Sequence, residues 1–91
     1  MKLGFFVNSQ YLPGQSMPEK IQESVEQVQA ARDAGFSLIA AGQHYLAAPY
    51  QMSTLFPLLA RLAADAGEMQ VAATVILVPL HNPVELAESI A

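Results

Sequence analysis

Between Leu38 and Met52 the chain reads LIAAGQHYLAAPYQM, an aliphatic run that ends in Gly42, Gln43, His44 and Tyr45 and then enters small residues, Pro49 and Tyr50. If the run is a buried strand, its polar groups sit at the C-terminal end. His44 is the sharpest candidate for chemistry, because an imidazole can donate, accept or relay a proton near neutral pH. The alternative is that it satisfies buried carbonyls at the strand end or faces solvent. Gln43 cannot ionise, so the two form no acid–base dyad, and its amide is suited to hydrogen bonding as both donor and acceptor. Tyr45 offers a phenol over an aromatic face, or ordinary packing. His81, just before Asn82 and Pro83, is the second imidazole, with a plain loop position near a helix start as its structural reading. A metal site on both histidines would need a third ligand, and no Asp or Glu falls at a strand end, so no metal is expected.

Other chemistries lack their residues. Gly14 and Gly42, the glycines nearest a strand end, stand alone, so neither a phosphate loop nor a dinucleotide fingerprint is present. No serine sits in a nucleophile-elbow setting. The absence of cysteine excludes disulfides, thiolate zinc sites and cysteine nucleophiles. Net charge is -4, and Lys2, Lys20, Arg32 and Arg61 are scattered singly, so no basic patch for nucleic acid exists. The apolar run in MKLGFFVNSQ is too short for a signal-peptide core or a membrane span, and a soluble cytoplasmic protein is the expectation.

The elements that must position these residues follow from hydropathy and punctuation. Leu3 to Val7 reads as a buried strand ended by Asn8, Ser9 and Gln10, and a Pro13-Gly14 turn follows. Ser16, Pro18 and Glu19 form a capping-box pattern, and Ile21, Val25, Val28 and Ala31 continue at helical spacing until Gly35. Phe36 to Ala41 supplies a second strand with no alternation, as expected when both faces are covered. Ser53 or Thr54 can cap a second helix, with Pro57 tolerated in its first turn and Gly67 as its stop. Met69 to Val78 is the most continuously apolar stretch and reads as a third strand. Asn82, Pro83 and Glu85 repeat the capping pattern on a last helix. Parallel strands are thus expected at about 2–7, 37–42 and 70–78, with helices near 17–34 and 54–66.

This β-α-β-α-β-α order repeats about every 33 residues, close to the roughly 31 residues per unit of a (β/α)₈ TIM barrel. Doubly wound sheets alternate in the same way. The 91-residue chain, with 53% apolar and 8% aromatic residues, has the aliphatic composition of helices on a buried sheet. Three units cannot close a barrel, so an incomplete α/β segment is expected, either the opening part of a longer protein or a chain that covers its sheet edges with a partner. Homo-oligomerisation is expected on the same ground. In either parallel architecture ligands gather at the C-terminal strand ends. Those ends are Asn8, Ser9 and Gln10, then Gln43, His44 and Tyr45, then Pro79, Leu80 and His81.

From KLGFF to ELAE, and most specifically in AGQHYLAAPYQM and AATVILVPLHNPVELAE, the sequence resembles the N-terminal third of the bacterial luciferase-like flavin-dependent monooxygenases. The resemblance implies a barrel of about 300 residues, of which residues 1–91 are the first three βα units. It also implies a reduced flavin, FMN, with O2 and a small organic substrate. The family's Glu-His-His at the second strand end falls on Gln43, His44 and Tyr45, so Gln43 replaces the glutamate and Tyr45 the second histidine. His44 is the implied catalytic base beside the flavin. Gln43, Thr74, Val75 and Ile76 are the implied cofactor-binding residues, with a non-proline cis peptide expected near Thr74 and Val75. The phosphate grip is implied to lie in later barrel elements, so residues 1–91 alone are expected to be inactive.

Two other readings stand beside this one. The same barrel serves deazaflavin (F420)-dependent oxidoreductases, which transfer hydride without oxygen chemistry. A truncated, non-catalytic module assembling through its sheet edges is the third. The substrate is left open among aldehydes, alkanesulfonates and cyclic ketones.

Overall fold

The structure is a computed structural model describing residues 1–91. Its frame is a three-stranded parallel sheet of β1 (Gly4–Phe6), β3 (Leu38–Ala41) and β5 (Gln70–Ala73), with β3 in the centre. The register pairs Phe6 with Ala40 and Ala40 with Ala72. Helices α1 (Met17–Asp33) and α2 (Leu55–Ala66) lie between successive strands of this sheet, and α3 (Pro83–Ile90) follows it. Bonds from Val7 N–H to Ala40 O, Ser37 N–H to Leu3 O and Thr74 N–H to Ala41 O carry the pairing just past the strand limits. No helix is long and apolar enough to cross a membrane.

One face of the sheet builds the core. Val7, Ile39 and Ala41 pack with Val25 and Val28 of α1, with Leu55, Leu58, Leu59, Leu62 and Ala66 of α2, and with Met69. Phe5 and Ala73 press on the same cluster. Successive strand side chains point to opposite faces, so Phe6, Ala40 and Ala72, aligned by the register, stand on the other face. Phe6 is 59% exposed there. The helices are tied across their outer side by Gln29 Nε2 donating to Asp65 Oδ1 (2.7 Å) and Arg32 donating to the Asp65 carbonyl (3.0 Å). Truncating the fully buried Leu62 to alanine costs about 2–5 kcal/mol, since the cavity cannot collapse fully.

Several expectations hold and several need correction. The three strands pair parallel as expected, and both interior helices fall within a residue of their expected limits. Gly35, at φ 84°, closes α1: its N–H bonds Arg32 O and Phe36 N–H bonds Ala31 O, the paired bonds of a Schellman motif. The strict alternation is interrupted, however, by β2 (Gln10–Tyr11) and β4 (Gln51–Met52), which pair antiparallel where the sequence reads as loop. Two residues are too few to show a period. The third strand ends at Ala73 rather than near Val78. Its neighbour β3 ends at Ala41, so the later N–H groups leave the ladder: Leu77 bonds the Gln43 side chain, Val78 bonds Ile76 O, and Val78–Leu80 close a 3₁₀ turn.

The helix starts differ among themselves. Asn82 Oδ1 accepts from Val84 N–H (2.9 Å) and Glu85 N–H (3.4 Å), a true side-chain cap. Ser16 and Thr54 occupy N-cap positions with no side-chain bond. At Ser16 the reason is partly Pro18, which removes one of the two N–H groups that a cap hydroxyl serves.

Candidate functional site

The ends of β1, β3 and β5 converge on Gly42. A β-carbon on Gly42 would lie 2.9 Å from the Thr74 carbonyl oxygen and 3.4 Å from Phe6 Cζ. The exit of the central strand is thus kept clear of a side chain while both neighbouring strands close on it. Ser9, buried after β1, reaches the Gly42 carbonyl with its hydroxyl at 3.5 Å. Asn8 turns on itself, its side chain bonding the Gln10 N–H and carbonyl.

Gln43, half-buried, bridges from β3 to the chain after β5. Its Oε1 accepts the Leu77 N–H at 3.2 Å, and its amide meets His81 Nε2, which lies 3.3 Å from both Nε2 and Oε1. The His81 ring in turn sets its edge against Phe56, centroids 6.3 Å apart at 70°. Each such hydrogen bond contributes about 0.5–1.5 kcal/mol net, and more is lost if one partner is removed and the other left buried. The sequence offers His81 only as an end-of-strand or loop residue. The structure makes it a half-buried partner of Gln43, reached 38 residues along the chain, and no sequence signal pointed to that contact.

His44 is exposed and makes no hydrogen bond to the protein. The reading in which it satisfies buried carbonyls is therefore not what the structure shows. Tyr45 is exposed beside it, and Leu46 turns the chain away with φ 52°. Thr74, Val75 and Ile76 run along the β5 exit; Val75 is 65% exposed, and the Thr74–Val75 peptide is cis. The N–H groups of Val75 and Ile76 have no acceptor in the protein. Pro79 and Leu80, expected at a strand end, belong instead to the 3₁₀ turn. The structure thus brings together Gly42, Gln43, Thr74, Leu77 and His81, with His44 at the rim.

A polar cleft of about 480 Å³ opens elsewhere, between β2 and α1, lined by Asn8, Gln10, Tyr11, Lys20, Ser24 and Tyr50 among others. None of Gln43, His44 or Thr74–Ile76 lines it. Several of its polar groups are engaged with one another: the Tyr11 hydroxyl donates to Asn8 O and meets Ser24 Oγ, Ser24 donates to Lys20 O, and Lys20 pairs with Glu23. The strand exits, with an exposed imidazole and unpaired N–H groups, are the better candidate for chemistry.

Comparison with known proteins decides the family. The family model described as luciferase-like monooxygenase matches residues 1–91. The chain belongs to the luciferase-like monooxygenase family. Among solved structures, apo-MsnO8 is similar at 23% identity with a TM-score of 0.82, over 97% of this chain and 26% of that one. The oxygenating constituent of 3,6-diketocamphane monooxygenase from the CAM plasmid of Pseudomonas putida, a type II Baeyer–Villiger monooxygenase in complex with FMN, is similar at 20% identity with a TM-score of 0.81, over 99% of this chain and 25% of that one. These likenesses are likenesses of fold. The chain spans about a quarter of the length of these solved proteins. No curated protein matches it by sequence.

Proposed function

We propose that this luciferase-like chain serves a flavin-dependent monooxygenase, in which reduced FMN and O2 oxidise a small organic substrate. Residues 1–91 supply, on this reading, the first three βα units of a (β/α)₈ barrel. The observation that carries the proposal is the family match along the whole chain, and the site geometry is consistent with it. Apolar grooves flank both open edges of the sheet, one beside Phe5 and Phe36, the other beside Val71 and Ala73. On this reading, further elements of the barrel would pack there. Unpaired edges of this kind would lead residues 1–91 on their own to self-associate.

The residues fit a flavin in two respects. The exit of β3 carries Gly42, where a side chain would strike the Thr74 carbonyl and Phe6, so the apolar face of Phe6, Ala40 and Ala72 runs unobstructed to the β5 exit. There the free N–H groups of Val75 and Ile76 are donors of the kind that the carbonyl edge of an isoalloxazine accepts. Thr74, Val75 and Ile76 would hold the ring, with Gln43 behind them. Reduced flavin, when bound, supplies the electrons that activate O2. His44, exposed at the rim and free of protein partners, would take a proton from the substrate and return it, which an imidazole can do near neutral pH.

The test is a pair of titrations of the intact protein, one with FMN and one with the deazaflavin F420, followed by flavin absorbance. Saturable FMN binding with weaker F420 binding is the expected result. The reverse preference would make the protein a deazaflavin oxidoreductase instead, and no binding of either would favour a non-catalytic module.

A further inference from the structure

We propose, building on the flavin reading, that Gln43 is a positioning residue: a neutral amide clamp that sets the Thr74–Leu77 backbone through Leu77 and His81. The Leu77 N–H, outside the strand ladder, needs an acceptor and finds Gln43 Oε1 at 3.2 Å. That bond turns the amide oxygen toward Leu77. The amide nitrogen then has His81 Nε2 at 3.3 Å as its only protein partner. His81 Nε2 lies 3.3 Å from Gln43 Oε1 as well, so a hydrogen on Nε2 can be donated to that oxygen, whose second lone pair Leu77 leaves free. With the hydrogen on Nδ1, Nε2 accepts from the amide nitrogen instead, so the Gln43 amide meets His81 in either tautomer. The edge contact with Phe56 limits where the ring can lie.

Gln43 thus links three parts of the fold: the central strand, the segment after β5 and, through His81, the start of α3. Its effect on a cofactor runs through the backbone of residues 74–77. An amide suits the task because its oxygen accepts from Leu77 while the group can meet His81 Nε2 as donor or as acceptor. Glutamate would still accept from Leu77 but offers no hydrogen to His81. Leucine would do neither.

Three variants of the intact protein separate these roles: Gln43→Leu, Gln43→Glu and His81→Phe. The readouts are amide hydrogen exchange at Leu77, the imidazole nitrogen NMR spectrum of His81, and FMN affinity. Gln43→Leu is expected to speed Leu77 exchange about tenfold and to weaken FMN binding. Gln43→Glu should keep Leu77 protected while holding the His81 hydrogen on Nε2, because a carboxylate can only accept. His81→Phe should leave the Leu77 bond in place. Unchanged Leu77 exchange and an unchanged His81 spectrum in Gln43→Leu would overturn the clamp alone. Failure of the wild type to bind FMN would overturn the flavin reading alone, because exchange and NMR still read the clamp.

Discussion

The Thr74 carbonyl oxygen stands 2.9 Å from the point a β-carbon on Gly42 would occupy. The obstacle is backbone, which has no rotamer to escape into. Gly42→Ala must therefore move either the exit of β3 or the chain beyond β5, at a cost of about 1–3 kcal/mol. Thermal unfolding of the variant should show the loss, together with weakened FMN binding, since Thr74 borders the proposed ring site. An unchanged melting temperature would mean that the strand exits are looser than described.

His44 makes the opposite forecast. It is exposed and unpartnered, so His44→Ala should leave stability within about 0.5 kcal/mol. FMN affinity should change no more than a few-fold, because the imidazole is not needed to hold the ring. Turnover per bound flavin should fall by about 10²-fold or more, the usual scale for a general acid or base. Near-normal turnover would remove His44 from the chemistry.

Much of the frame was legible because its signals are local. The helical spacing of Val25, Val28 and Ala31, the stops at Gly35 and Gly67, and the cap at Asn82 each depend on residues a few positions apart. The rest depends on distant partners. Val75 to Val78 is as apolar as a strand, but its strand status needed a neighbour, and β3 gives out at Ala41. Gln10–Tyr11 became a strand only because Gln51–Met52 came to lie against it. Gln43 and His44 stood out by type and place. That Gln43 would bind Leu77 and His81, while His44 bound nothing, was set by side-chain direction after the strand end.

The unequal helix caps give a test of stability. Asn82→Ala removes two accepted N–H bonds and should cost about 1 kcal/mol. Ser16→Ala, matching the same sequence pattern but making no cap bond, should fall within about 0.5 kcal/mol. Urea unfolding of the two variants side by side checks the contrast, and equal losses would contradict it.

Asp65 links acid sensitivity to the α1–α2 packing. Hydrogen bonds from Arg61 and then Gln29 hold its carboxyl below the ordinary aspartate value of 3.8, against an opposing effect of burial. A carboxyl depressed in the folded state contributes stability above its unfolded pKa and loses it as pH falls through the folded value. The stability gap between wild type and Asp65→Asn should therefore be full at neutral pH and shrink as acid protonates the native carboxyl. Denaturant unfolding at a series of pH values measures it. A gap independent of pH would show that the Arg61 and Gln29 contacts do not favour the charged form.

The most direct measurement of the central claim is the fate of molecular oxygen. The intact protein is supplied with reduced FMN and ¹⁸O₂ and offered a panel of ketones, aldehydes and alkanesulfonates, and the products are analysed by mass. The account predicts a product carrying one ¹⁸O atom, the other leaving as water, and no product when oxygen is withheld. Unlabelled product, or product formed equally well without oxygen, would contradict it.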